Sequence, residues 1–152
     1  MTDEERGRFL VRFADATVPV LGVAVMGGVF TESVDFSDSK LAGVICVGIG
    51  LPPPSLELGL IQAHFEESGR GREVAYDLPA MTRVLQAAGR ILRSAEDRGV
   101  LCLVDARFKR REYQRFFPAH WQPTVLGAGQ MAGALAQFWQ QGRLRDKTGS
   151  DY

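Results

Sequence analysis

Hydrophobic positions along this chain fall into continuous runs rather than alternating ones. VPVLGVAVM at 18–26, LAGVICVGI at 41–49 and VLCLV at 100–104 are apolar at nearly every position and rich in β-branched residues. Alternation marks a strand with one wet face, so these runs predict strands covered on both sides, as in a parallel sheet. Between them the spacing turns helical. Helices are predicted over about 3–15, capped by Thr2 with Phe9, Leu10 and Phe13 inward, and over about 55–68, after the prolines at 52–54. Another is predicted over about 78–93, with Asp77 as its N-cap. That order is α/β, and right-handed crossovers place helices on both faces of the sheet. Downstream, 105–123 mixes cations and aromatics. A last helix over about 129–141 puts Met131, Leu135, Phe138 and Trp139 on one side, and 142–152 reads as a disordered tail after a single lobe, 1–141.

Composition narrows the class. Hydrophobic content of 45% and charged content of 24% are ordinary for a globular domain. Eighteen basic residues balance eighteen acidic ones, so no global field points to a nucleic-acid or membrane partner. No apolar run approaches the roughly 18 residues of a membrane span and no signal peptide is recognisable, so no membrane partner and a cytoplasmic location are expected. Cys46 and Cys102 sit in apolar runs and are too few for a zinc or iron–sulfur site, so buried structural thiols and no bound metal are expected.

The balance conceals a local bias. All but three cations (Lys40, Lys109 and Lys147) are arginines, and those from Arg83 to Arg115 far outnumber the acids Glu96, Asp97, Asp105 and Glu112. Arginine's planar fork suits phosphate and carboxylate, although a solvated basic surface fits the same composition. In open parallel sheets ligands bind beyond the carboxyl ends of the strands. That makes 27–38, 50–55 and the segment from Asp105 the candidate loops. The first carries Gly27 and Gly28, which allow close backbone approach, followed by the acids Glu32 and Asp35. On the helix from 78, Gln86, Arg90 and Arg93 fall within about 60° at 100° per residue, opposite Met81, Val84, Leu85, Ala88, Ile91 and Leu92. A narrow polar stripe thus faces away from the core, with Gly89 beside it.

The line QAAGRILRS at 86–94 resembles motif VI of superfamily-two helicases, Gln/His-x-x-Gly-Arg-x-x-Arg. GVFTESVDF at 28–36 resembles motif V, and DRGVLCLVDARF at 97–108 is similar to the strand and Asp-x-Arg-Phe segment that follow motif VI in the XPD/DinG-type DNA helicases. The likeness runs from about Arg8 to Trp121. It implies a motor of two RecA-like lobes with ATP and magnesium in the cleft between them, this chain being the C-terminal part of the second lobe and lacking its first strand. On that carry-over Arg90 and Arg93 reach the terminal phosphates of ATP held by the first lobe, and Gln86 helps position nucleotide or water. Gly28, Glu32, Asp35 and Gly89 belong to the nucleotide-side motifs, while Asp105 and Arg107 brace the cleft edge. The family usually has Gly between the motif V acids where this chain has Ser33, which restricts the backbone there.

What is missing also counts. The chain has no Gly-Lys dipeptide, hence no Walker A loop, and none of the four cysteines that hold a cluster in many relatives. By itself it is expected to be inactive, half of an ATP site whose first lobe belongs to the same natural polypeptide. The other reading is a non-catalytic binding module in which Arg107, Lys109, Arg110, Arg111 and Tyr113 contact single-stranded DNA. His64 and His120 have no partners at ligand spacing.

Overall fold

The computed structural model describes residues 3–14, 18–28, 41–91 and 98–148. Two strands, β1 (Gly43–Val47) and β2 (Val100–Val104), pair in parallel, from Gly43 opposite Val100 to Val47 opposite Val104. Parallel neighbours need a long crossover, supplied by helix α2 (Leu56–Glu66), a single π-turn (Glu73–Asp77) and helix α3 (Leu78–Ala88). Helix α1 (Asp3–Ala14) precedes this unit; a 3-10 turn (Ala106–Lys109) and the single-turn helix α4 (Arg111–Gln114) follow β2. The fold is α/β with a small parallel sheet, consistent with a partial RecA-like lobe. Residues 1–117 form one compact unit and 118–152 a second, which contains helix α5 (Ala128–Thr148).

Helix α3 carries the core. Ala80, Met81, Val84 and Ala87 meet Cys46, Ile49, Phe108 and Tyr113, with Val44, Leu101, Leu103, Phe116 and Phe117 packed around them. The buried face of α3 is the apolar face expected from its spacing. Burial pushes the Cys46 thiol above its ordinary pKa. Cys102 faces Ile45 across the ladder, one position out of step with Cys46, and both thiols are free. Ile45 and Val47, which alternate with the inward Val44 and Cys46, are 59% and 72% exposed, so this sheet face is not covered by the described residues.

Helix α3 runs antiparallel to the strands. At its middle Arg83 bonds the Gly50 carbonyl, just past the carboxyl end of β1. Beyond its end, Ile91 is buried where a Cβ built on Gly99 would fall, immediately before β2, and the Val100 amide bonds the Ala42 carbonyl at 3.0 Å.

Four boundaries differ from the sequence expectation. Residues 18–25 form no strand: Leu21, Val23 and Val25 are more than 80% exposed, and no described strand pairs with them. An apolar run permits a strand, but only a partner's ladder makes one. Asp77 does not cap a helix. Its φ of −73° and ψ of −43° are helical, because the chain already turns from Gly71, and its carboxylate accepts from the Tyr113 hydroxyl at 3.1 Å instead. Helix α3 stops at Ala88, its last turn tightening as the Arg90 and Ile91 amides bond the Ala87 and Ala88 carbonyls. Finally, α5 continues past Gly142 to Thr148, through residues expected to be disordered; its half-buried side is the expected Met131, Leu135, Phe138 and Trp139 stripe. Ser55, by contrast, caps α2 through the Leu58 amide at 3.3 Å.

Tyr113, 2% exposed, links the segment after β2 to the turn before α3. Tyr113→Phe leaves the ring's packing in place and removes the donor to Asp77, which should cost about 1–3 kcal/mol in urea denaturation. An unchanged midpoint would show that this bond holds nothing together.

Candidate functional site

The described parts of the expected loops lie at the carboxyl edge of the sheet. The Gly48 amide bonds the Val104 carbonyl at 3.1 Å, joining the exits of β1 and β2. The Met26–Gly28 turn lies beside them: a Cβ on Gly50 would stand 3.0 Å from the Met26 methyl, and one on Gly27 would stand 2.8 Å from Arg83 Nε. Gly28 donates its amide to the Val25 carbonyl at 3.0 Å, closing that turn. Glu32, Ser33 and Asp35 lie outside the described residues, as does Arg93.

At the exit of β2 the segment Asp-Ala-Arg-Phe folds upon itself. Asp105 accepts the Arg107 amide at 2.8 Å, starting the 3-10 turn. The Arg107 guanidinium then grips both carboxylate oxygens, Nε to Oδ1 at 3.0 Å and Nη2 to Oδ2 at 2.7 Å. Two fixed donors on one carboxylate make a charge-assisted pair of defined geometry. Arg107, first through its side chain and then through its amide, lowers the Asp105 pKa from 3.8 to about 2. Phe108 is buried below and anchors the turn.

The basic segment beyond is divided by its pairings. Arg110 reaches Glu112 at 3.4 Å, and Arg115 reaches Glu73 at 2.6 Å. Glu73 also accepts from Arg70 at 2.8 Å, and the two arginines, Arg70 foremost, hold its carboxyl below the usual range. Lys109 and Arg111 are exposed and form no ion pair among the described residues. Tyr113 cannot stack on a base as expected, since its ring is buried.

The motif-VI-like residues sit elsewhere. Gln86 and Gly89 are exposed on and just past α3. Arg90 is half-buried, with its Nε sealed from solvent. Because α3 ends at Ala88, Arg90 projects from a turn rather than extending a helical stripe. Arg90 and Asp105 therefore flank opposite ends of β2, separated by five strand residues, or roughly 16 Å of strand. The structure does not bring them together. Among the described residues no cluster of His, Cys, Asp and Glu is disposed to hold a metal ion, and no helix is long and apolar enough to cross a membrane.

Sequence reasoning passed over Arg83, although it shares the helical face of Gln86, three residues on. It also missed the Glu73 ion cluster, whose members are 42 residues apart in the case of Arg115. No local pattern announces such a pairing.

Residues 1–124 match the family model described as the helicase C-terminal domain. The chain is similar to the regulator of telomere elongation helicase 1 homolog of Drosophila ananassae, 35% identical over 131 residues, which cover 78% of this chain and 13% of the relative. The Drosophila melanogaster homolog is 34% identical over 138 residues, covering 82% and 14%. The Caenorhabditis briggsae homolog is 29% identical over 143 residues, covering 86% and 14%. The chain thus spans about one seventh of the length of these relatives.

The Asp105–Arg107 pair carries a pH signature. A depressed carboxyl pKa contributes stability above its unfolded value and loses it as pH falls through the folded one. Stability should therefore decline between about pH 4 and the folded value of about 2, and Asp105→Asn should flatten that part of the curve. The comparison is made by urea denaturation across the range. An identical acid limb in the variant would remove Asp105 as its source.

Proposed function

The chain belongs to the helicase C-terminal domain family, and from that we propose that it is the second motor lobe of an ATP-dependent DNA helicase of the XPD/DinG type. The observation that carries the reading is Arg90. Other arginines of this unit, such as Arg70 and Arg72, have side chains 58% and 65% exposed. Arg90 instead has an enclosed Nε, on the Gln-x-x-Gly-Arg line. A partly enclosed guanidinium gives up less rotamer freedom when it meets a phosphate.

On this reading, nucleotide and magnesium are held mainly by a separate first lobe of the same natural polypeptide. Bound there, they would supply the phosphoryl group and the positive charge that offsets its transfer. The chain has no Walker A loop of its own, and a half-buried arginine on the Gln-x-x-Gly-Arg line fits a residue that completes another lobe's site. Arg90 places positive charge at the terminal phosphate, Arg93 is proposed to share that role, and Gln86 orients its neighbourhood. By their motifs, Gly28, Glu32, Asp35 and Gly89 are proposed for the nucleotide side. Alone, the chain is inactive.

Single-stranded DNA is the second proposed partner. Arg107 is committed to Asp105 and Arg110 leans on Glu112, so the phosphate contacts fall to Lys109 and Arg111. Should this chain act without a first lobe, the same two cations make it a nucleic-acid binding module.

In the polypeptide that carries both lobes, Arg90→Ala should lower DNA-stimulated ATP turnover by about 10³-fold or more. Wild-type turnover in that variant would overturn the role of Arg90. For the isolated chain, single-stranded DNA affinity should fall with salt. The double variant Lys109→Ala, Arg111→Ala should reduce the log–log slope by about 1.4, at about 0.7 per phosphate contact. An unchanged slope would place the DNA contacts elsewhere.

A further inference from the structure

We propose that Arg83 is a positioning residue that fixes the Met26–Gly28 turn, from which the motif-V-like segment departs, to the helix that leads into Arg90. Gly27 and Gly50 both have a positive φ that a side chain would strain, and a Cβ at either would press on a neighbouring side chain. Gly27 has a φ of +78°, and a Cβ there would lie 2.8 Å from Arg83 Nε and 3.0 Å from Cζ. The guanidinium therefore occupies the space that a side chain at 27 would take. Gly50 has a φ of +70°, and a Cβ there would lie 3.0 Å from the Met26 methyl. Its carbonyl accepts from Arg83 Nη1 at 3.3 Å. Arg83 thus touches the turn at 27 and the loop at 50, and Met26 closes the triangle between them.

The chemistry of the contact singles out arginine. Among the described residues no carboxylate pairs with Arg83, and it is half-buried. The contact works through shape and donors: the guanidinium lies against the bare backbone at Gly27 while Nη1 donates to the Gly50 carbonyl. An alanine at 83 would empty both contacts together. Gln86 lies one turn further along α3, and the tight turn bearing Gly89 and Arg90 follows Ala88. A shift of the 26–28 turn is therefore transmitted to the element that presents Arg90 through a single rigid helix.

The consequence for catalysis rests on the helicase-lobe reading; the geometry does not. The first arm of the test is amide hydrogen exchange on the 152-residue chain. Arg83→Ala should raise exchange at Gly28 and Gly48 by roughly tenfold while leaving Val44–Val47 and Leu101–Val104 as in the wild type. Gly27→Ala, whose Cβ displaces the guanidinium, should reproduce that pattern. The double variant should be no worse than either single one, since both break the same contact. Arg83→Lys, which keeps a donor within reach of Gly50, should recover protection at Gly48. Wild-type exchange at Gly28 in Arg83→Ala, or a uniform loss across both strands, would overturn the proposal. So would strict additivity in the double variant.

The second arm uses the polypeptide with both lobes. Arg83→Ala should reduce kcat for DNA-stimulated ATP hydrolysis and leave the KM for ATP within about twofold, as expected when an interaction present only at the transition state is weakened. A raised KM with unchanged kcat would contradict positioning. A silent wild type would retire the helicase reading, while the exchange results would still decide the role of Arg83.

Discussion

The hydroxyl of Tyr113 donates to the carboxylate of Asp77 across 36 residues of sequence, inside the protein, and most of the architecture is arranged about that bond. It ties the segment that leaves β2 to the turn that starts α3. A crossover between parallel strands has two ends, and this bond pins one of them at the carboxyl edge of the sheet. Helix α3 then descends the face of β1 and β2, laying Met81 and Val84 on Cys46 and Ile49, and Arg83 comes to rest opposite Gly50. The exposed Arg72 also approaches that carboxylate, at 3.7 Å. A buried carboxylate with a donor in place is inexpensive; the same group without one is not.

The ion pairs around it divide an arginine-rich surface into working and structural charges. Arg70 and Arg115 converge on Glu73, and Arg107 closes on Asp105. Each such pair is worth little as stability when it is exposed. Its larger effect is on direction, since an arginine held by its neighbour presents no free fork to a phosphate. Between Arg83 and Arg115, Arg107, Arg110 and Arg115 are engaged in this way.

The parallel pair could be read from the apolar runs at 41–49 and 100–104, and the buried side of α3 from its spacing. β2 fell on its expected residues because the run VLCLV is bounded sharply by Gly99 and Asp105. The run at 18–26 looks much the same, yet forms no strand among the described residues; pairing is a property of two segments, and one segment cannot reveal it. Asp77 looked like a cap because an acid before Leu-Pro is a common helix start, but the helix had begun earlier and the carboxylate had a distant partner. Arg90 stood out by motif, whereas Arg83 could be understood only once Gly27 and Gly50 were seen beside it. Local periodicity is legible; contacts across long loops are not.

The turn Glu73–Asp77 is π-helical, with the Leu78 amide reaching back five residues to the Glu73 carbonyl. Such a turn holds one residue more than an α-helical turn would. Around a helix axis one residue is worth 100°. The extra residue therefore acts as a phase shifter, letting two stretches of one continuous helix address different neighbours. At its start Glu73 takes Arg70 and Arg115; after it, Met81 and Val84 look into the core. Losing a single residue from this turn would rotate one half against the other by more than a quarter of a circle. The spacing of this short stretch is thus constrained by angle, independently of what its side chains are.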